Sequence, residues 1–433
     1  MSKSIDYINE QQKLYSLEED KLLNLYDTDK EAFKDVLTDI NTNIISEAFK
    51  YKTKSKNENI EIAKSVSNNM IDFLNLHRKN IPDRQDLGEY KILHDLIKTI
   101  KKKNQITTQF PNFFSLPIGS PNAFSIPVPK SEEYVIAFQS GLFNFLREIS
   151  QIVANSIPYE KITKQHINYI KNNNLDISQI SYSKIYSISK DNQEAFNYLI
   201  SSYLCKGEVS HNKLSYNSLP AKIDSGAILI TAEYFILCHE YAHILLGHLK
   251  DSPKENVKEL NFDHISRSHQ QEIEADVLAL QMSLKCNDGE LFIPDFFMGV
   301  EVFLTSIDIL YKILGFQFKG SLFTTLKSPS HPYPMTRIGV LRHMIKNNTK
   351  NGKNGDAETI FEILWWGSVA HNTTNSLLFN EQTLNLLKDI RKHKSLHKTW
   401  SSYNKKDFIF EFQIPFYSFI KSVKSKFGFD FNG

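Results

Sequence analysis

Two histidines, four positions apart and bracketing a glutamate, stand inside an apolar run: Phe235-Ile236-Leu237-Cys238-His239-Glu240-Tyr241-Ala242-His243-Ile244-Leu245-Leu246. On an α-helix, positions i and i+4 lie about 40° apart around the axis and one turn apart along it. His239 and His243 can therefore aim both imidazoles at one point, with Glu240 projecting beside it. Two neutral nitrogen ligands and an adjacent carboxylate base are the minimum for holding zinc and drawing a proton from an activated water. The chemistry indicated is metal-assisted hydrolysis of peptide bonds, with His239 and His243 as ligands and Glu240 as general base. The competing reading is a pair of hydrogen-bonded core histidines, since a helix apolar nearly all round is a buried one and its polar groups must be satisfied.

Zinc on two histidines needs a third protein ligand if a fourth position is to stay open. The segment Ser268-His269-Gln270-Gln271-Glu272-Ile273-Glu274-Ala275-Asp276-Val277-Leu278-Ala279 supplies a candidate. Ser268 and Gln271 form a capping-box pattern, so a helix is expected to start there. On it Glu272, Ala275, Asp276, Ala279 and Ser283 share one face, and Glu274 points roughly the other way. The alanines permit close approach to another helix. Glu272 is the expected third ligand, and Asp276, one turn on, the acceptor for a ligand histidine's second N–H. A third landmark is Ser330-His331-Pro332-Tyr333-Pro334-Met335-Thr336-Arg337-Ile338, a proline turn leading into a helix. His331 or Arg337, if near the metal, would steady a developing oxyanion or hold the substrate backbone.

His239-Glu240-x-x-His243, then Glu272-x-x-Ala275-Asp276, then His331-Pro332 with Arg337-Ile338, resembles the gluzincin metallopeptidases that include the HtpX heat-shock peptidases and the CAAX-prenyl endopeptidases. The resemblance spans roughly residues 225–343. It implies one Zn2+ ion on His239, His243 and Glu272, with Glu240 as base. Those named members are integral membrane proteins, and this chain has no convincing span. The Lit-type phage-exclusion peptidases resemble it in that respect, and in a strand followed by an aromatic helix ahead of the zinc helix, here Tyr134–Phe138 and Leu142-Phe143-Asn144-Phe145. Gluzincins commonly bind an extended peptide along a sheet edge, so the resemblance makes Tyr134–Phe138 a substrate-facing edge; read from its residues alone it is an ordinary core strand.

Elements must position these groups. The expected fold is α+β and mainly α-helical: a gluzincin core of two active-site helices with a small sheet, flanked by helical N- and C-terminal regions. Residues 1–110 carry apolar positions at helical spacing (Leu22, Leu25, Tyr26; Ile71, Leu74; Leu93, Leu96, Ile97). A proline-rich stretch, Pro111 to Pro129, marks a boundary. The peptidase domain is expected over 111–345, and a mainly helical region over 346–433 that begins with a polar, glycine-bearing linker and ends in a strand-like alternation at Phe408-Ile409-Phe410-Glu411-Phe412.

With 433 residues, 41% of them hydrophobic, the chain has ample material for a core. A net charge of +2 argues against nucleic acid or an anionic membrane surface as partner. Lys101-Lys102-Lys103 reads as the solvated end of a helix. Segments 227–246 and 296–316 are apolar, but Glu233, His239, Glu240, Glu301, Asp308 and Lys312 within them argue against membrane spans. Cys205, Cys238 and Cys286 form no pair motif, and the first residues lack a secretory signal's apolar core, so a cytoplasmic setting is expected. His264 and His269 are read as bystanders. The expected function is a zinc-dependent endopeptidase acting on a protein or peptide, in phage exclusion or stress-related proteolysis. The alternatives are a zinc-binding interaction or sensor protein with a catalytically silent site, and a helical structural protein with chance histidines. Oligomeric state is not readable from the sequence.

Overall fold

The computed structural model describes residues 3–14, 21–48, 56–77, 87–107, 110–116, 122–159, 188–209, 214–249, 269–286, 293–326, 332–348, 357–400 and 403–410. The fold is mainly helical with a small sheet. Five helices come first: α1 (Lys3–Leu14), α2 (Lys21–Thr28), α3 (Lys30–Ala48), α4 (Lys56–His77) and α5 (Leu87–Lys103). Three strands follow, β1 (Asn112–Leu116), β2 (Ala123–Pro127) and β3 (Tyr134–Gln139). The chain continues through α6 (Ser140–Ser156), α7 (Lys190–Lys206), α8 (Leu219–Leu245), α9 (His269–Leu284) and α10 (Ile293–Lys319). It ends with β4 (Thr324–Leu326), α11 (Pro334–Asn348), α12 (Ala357–Leu378), α13 (Glu381–His393) and β5 (Phe408–Phe410).

The apolar periodicity of the first region does what its spacing predicts. Tyr26, Leu74, Leu93, Leu96 and Ile97 are buried, and Leu22, Leu25 and Ile71 pack partly buried against the same core. α5 ends at the three lysines, with Lys102 exposed. The proline-rich stretch is more than a boundary, because it holds β1 and β2. Among the described residues its prolines are Pro111 before β1, Pro127 at the end of β2 and Pro129 beyond it, positions where a missing N–H costs least. β3 lies in the centre, parallel to β1 (Phe113 beside Ile136) and antiparallel to β2 (Ser125 beside Ile136). Of the two readings of Tyr134–Phe138 the ordinary core strand holds: β3 is paired on both sides, the substrate-facing edge that the resemblance implied is not there, and among the described residues β2 is an edge of the sheet. Helix α1 seals one face of the sheet. Ile5, Tyr7 and Ile8 form a second core with Phe114, Leu116, Phe124, Ile126 and Val135, and the Ser4 amide donates to Glu133 Oε2 at 2.9 Å.

The main core is continuous from Leu23 in α2 to Phe408 in β5, so buried side chains from all three sequence regions meet in it. α8 is its axis. Ser218 caps its start, accepting from the Ala221 amide at 3.2 Å, and Pro220 occupies the first turn, where no N–H is missed. α9, α10 and α6 pack around α8. Gly299 of α10 lets two helices meet closely, since a Cβ there would stand 2.6 Å from the Ile228 carbonyl oxygen and 1.9 Å from Thr231 Oγ1. Ala275 and Ala279 of α9 are both fully buried, as their close-approach role requires. Among the described residues, no helix is long and apolar enough to cross a membrane. β4 pairs with β5, so the C-terminal alternation at 408–410 is a strand; residues 411–412 lie outside the described chain.

Candidate metal centre

α8 presents His239 and His243 one turn apart on the side facing α9. Their Nε2 atoms are 3.2 Å apart. α9 brings Glu272 to both: Oε2 lies 3.3 Å from His239 Nε2, and Oε1 lies 3.5 Å from His243 Nε2. All three side chains are buried, and they form a group able to hold a metal ion. The separations carry a test of fit. Ligand bonds of about 2.0–2.1 Å in a tetrahedron place neighbouring donor atoms roughly 3.3–3.4 Å apart. The His239–His243 separation of 3.2 Å lies close to that value, the two contacts to Glu272 use different carboxylate oxygens, and two imidazoles with one carboxylate are the donor set of a zinc site that keeps a position open.

The other nitrogen of each imidazole is engaged as well. His239 Nδ1 lies 2.9 Å from Asp276 Oδ1, an ion-pair contact. Asp276 is fully buried and is gripped by Arg337 of α11, Nη2 to Oδ1 at 2.6 Å and Nε to Oδ2 at 2.7 Å. Burial alone would raise the Asp276 carboxyl, but the Arg337 charge and the bonds from Arg337 and His239 outweigh it and hold the group below its usual range. For His239 burial favours the neutral ring, yet the bonds to Asp276 and Glu272 win and push it up to about 9 in the metal-free protein. His243 Nδ1 lies 3.0 Å from His248 Nδ1, and His248 Nε2 lies 3.2 Å from Glu274 Oε2.

Glu240, 3% exposed, is held from the sheet. Ser125 Oγ of β2 stands 2.9 Å from Glu240 Oε2 and 2.7 Å from the Glu240 carbonyl oxygen, so its single O–H chooses between two acceptors of the same residue. Tyr241 turns away into the core and packs on Phe110, ring centroids 4.2 Å apart. Cys238 is a buried free thiol, as expected of a small core residue.

Of the residues singled out from sequence, the structure brings together His239, Glu240, His243, Glu272, Asp276 and Arg337. Arg337 has a different neighbour from the one expected: its guanidinium grips Asp276, which leaves it a buried brace rather than a group facing a substrate oxyanion. His331, Ser268 and His264 lie outside the described residues. Glu274 diverges from Glu272 as its helical position predicts, and it is buried there against His248, 3.2 Å away. Ser125 and His248 escaped the sequence reading. Ser125 carried no local signal. For His248 there was one, because Gly247 directly follows the helix. No curated protein and no solved structure matches the chain. Residues 149–351, just under half of the chain and including all of α8 and α9, match the family described as Peptidase U49.

Proposed function

We propose that this protein is a zinc-dependent endopeptidase, with His239, His243 and Glu272 holding one Zn2+ ion and Glu240 as general base. The observation that carries the reading is the convergence of two buried imidazoles and a buried carboxylate on one point, beside a second carboxylate within hydrogen-bond reach of Ser125. The similarity to a peptidase family over 149–351 supports it, and the Lit-type peptidases fall within that family. On that resemblance we place the activity in phage exclusion or stress-related proteolysis, in the cytoplasm.

Zinc bound there supplies Lewis acidity, which brings the pKa of a bound water to about 7 and polarises a scissile carbonyl. Glu240 accepts a proton from the attacking water at a carboxylate oxygen and passes it to the leaving amine. When the Ser125 hydroxyl donates to Oε2 rather than to the backbone carbonyl, it holds the carboxylate's rotamer for proton transfer. Asp276, clamped by Arg337, keeps the His239 proton on Nδ1 and its Nε2 lone pair directed at the metal. The sheet edge beside Glu240 is β2, so an extended substrate would add there as a further strand.

The deciding experiment compares Glu240→Gln with wild type. Both are expected to carry one zinc per chain, and new protein termini in expressing cells should appear only with wild type. Identical termini from both proteins, with zinc retained, would refute catalysis through Glu240. No new termini from either would favour the silent zinc-binding alternative.

A further inference from the structure

We propose that His248 and Glu274 form a hydrogen-bond relay that locks His243 in its metal-ligating tautomer and thereby sets the affinity of the site. The inference rests on the metal reading above and adds two residues to it.

The relay is built by the end of α8. Gly247 takes φ +73°, its amide donates to the Ile244 carbonyl at 3.1 Å, and the His248 amide donates to the His243 carbonyl at 3.0 Å. This is a Schellman cap, which folds the second residue past the helix back over the third residue before its end. Here those two positions are His248 and His243, so the cap itself brings the imidazoles together, centroids 5.1 Å apart at 65°.

The protons then have one consistent arrangement. A neutral His243 that offers its Nε2 lone pair to a metal carries its hydrogen on Nδ1. At 3.0 Å that N–H must meet a bare nitrogen, so His248 Nδ1 is the acceptor. The His248 hydrogen is then on Nε2, where it donates to Glu274 Oε2 at 3.2 Å. Without an acceptor at position 274, His248 is free to carry its hydrogen on Nδ1. That would drive the His243 hydrogen onto Nε2, the atom the metal needs. His239 reaches the same end through Asp276 directly; His243 reaches it through an intervening imidazole. Side chains at both ends of the relay are almost completely buried, 6% exposed for His248 and 9% for Glu274, which shields these bonds from competing water.

The test is zinc affinity of the full chain, measured by competition with a chromophoric chelator. Glu274→Leu and His248→Phe should each bind zinc about 10–100-fold more weakly than wild type. Glu274→Gln keeps an oxygen acceptor, and His248→Asn sets an amide oxygen where Nδ1 accepts; both should stay within a few-fold of wild type. In the His248→Asn background Glu274→Leu should cause no further loss, because an amide oxygen accepts whatever stands at 274. His248→Phe alters a turn rather than a core helix, so it decides the matter if Glu274→Leu does not fold. Unchanged affinity in His248→Phe, or an equal loss from Glu274→Leu in both backgrounds, overturns the relay while wild type still binds one zinc. A wild type that takes up no zinc overturns the metal reading and the relay together.

Discussion

Each side chain at the centre is decided by what meets its far atom. Glu272 and Glu274 stand two residues apart and are both buried, yet one joins the histidine pair and the other braces it from behind. Sequence spacing separated them correctly by direction but could not show that the second direction was also interior. Arg337 shows the same limit. Its charge and its place in the helix after the proline turn made it a substrate-side candidate, whereas the folded chain aims it at Asp276. That placement has a measurable consequence. Arg337→Met strands a buried carboxylate, and the loss on removing one member of a buried pair is about 3–5 kcal/mol. Denaturant unfolding of the zinc-free protein measures it; a change below about 1 kcal/mol, the range of an exposed pair, would show that Asp276 does not depend on Arg337.

Among the elements, α8 and α9 were legible because their signals are local: a run of apolar residues, small residues at helical spacing, and ligand types at i and i+4. β1 and β2 were not legible, since five-residue strands between prolines carry little periodicity and exist through pairing with β3. α10 is apolar enough to imitate a span, and its charges are answered by partners. Arg342 grips Glu301 with both oxygens engaged, and Lys312 meets Asp308 at 2.9 Å. Its Thr305 lies 2.8 Å from Nδ1 of His371 on α12, whose Nε2 faces Asn375 at 3.0 Å. Burial first, then the charges of Arg342 and Lys312, lower His371 to about 3 from its ordinary 6.5. The unfolded chain therefore binds the extra proton as pH falls below about 6.5, and stability should drop by up to about 1.4 kcal/mol per pH unit from this group. Unfolding free energies of wild type and His371→Asn between about pH 4 and 6 should differ in slope by roughly one proton. Equal slopes would mean that His371 titrates normally in the fold.

For the whole molecule, the candidate metal centre joins α8 to α9, the sheet reaches it through Ser125, and α11 braces it through Arg337. One core carries all of these contacts. A metal that binds only this folded arrangement stabilises it by mass action, about 4 kcal/mol when free zinc stands a thousandfold above its dissociation constant. Calorimetry with zinc and with a chelator should show a lower melting temperature on chelation, and identical melting curves would argue against a zinc site between α8 and α9. The order of the proposed chemistry along the chain, two candidate ligands and a candidate base, then a third candidate ligand and its partner, follows from residue type and helical spacing, both of which are local quantities. The tertiary fold decided the rest. It brought Ser125 across 115 positions to Glu240, turned His248 back on His243 through a left-handed glycine, and made Arg337 a brace. Those contacts depend on how distant backbones pack against one another, and a one-dimensional pattern carries no term for that.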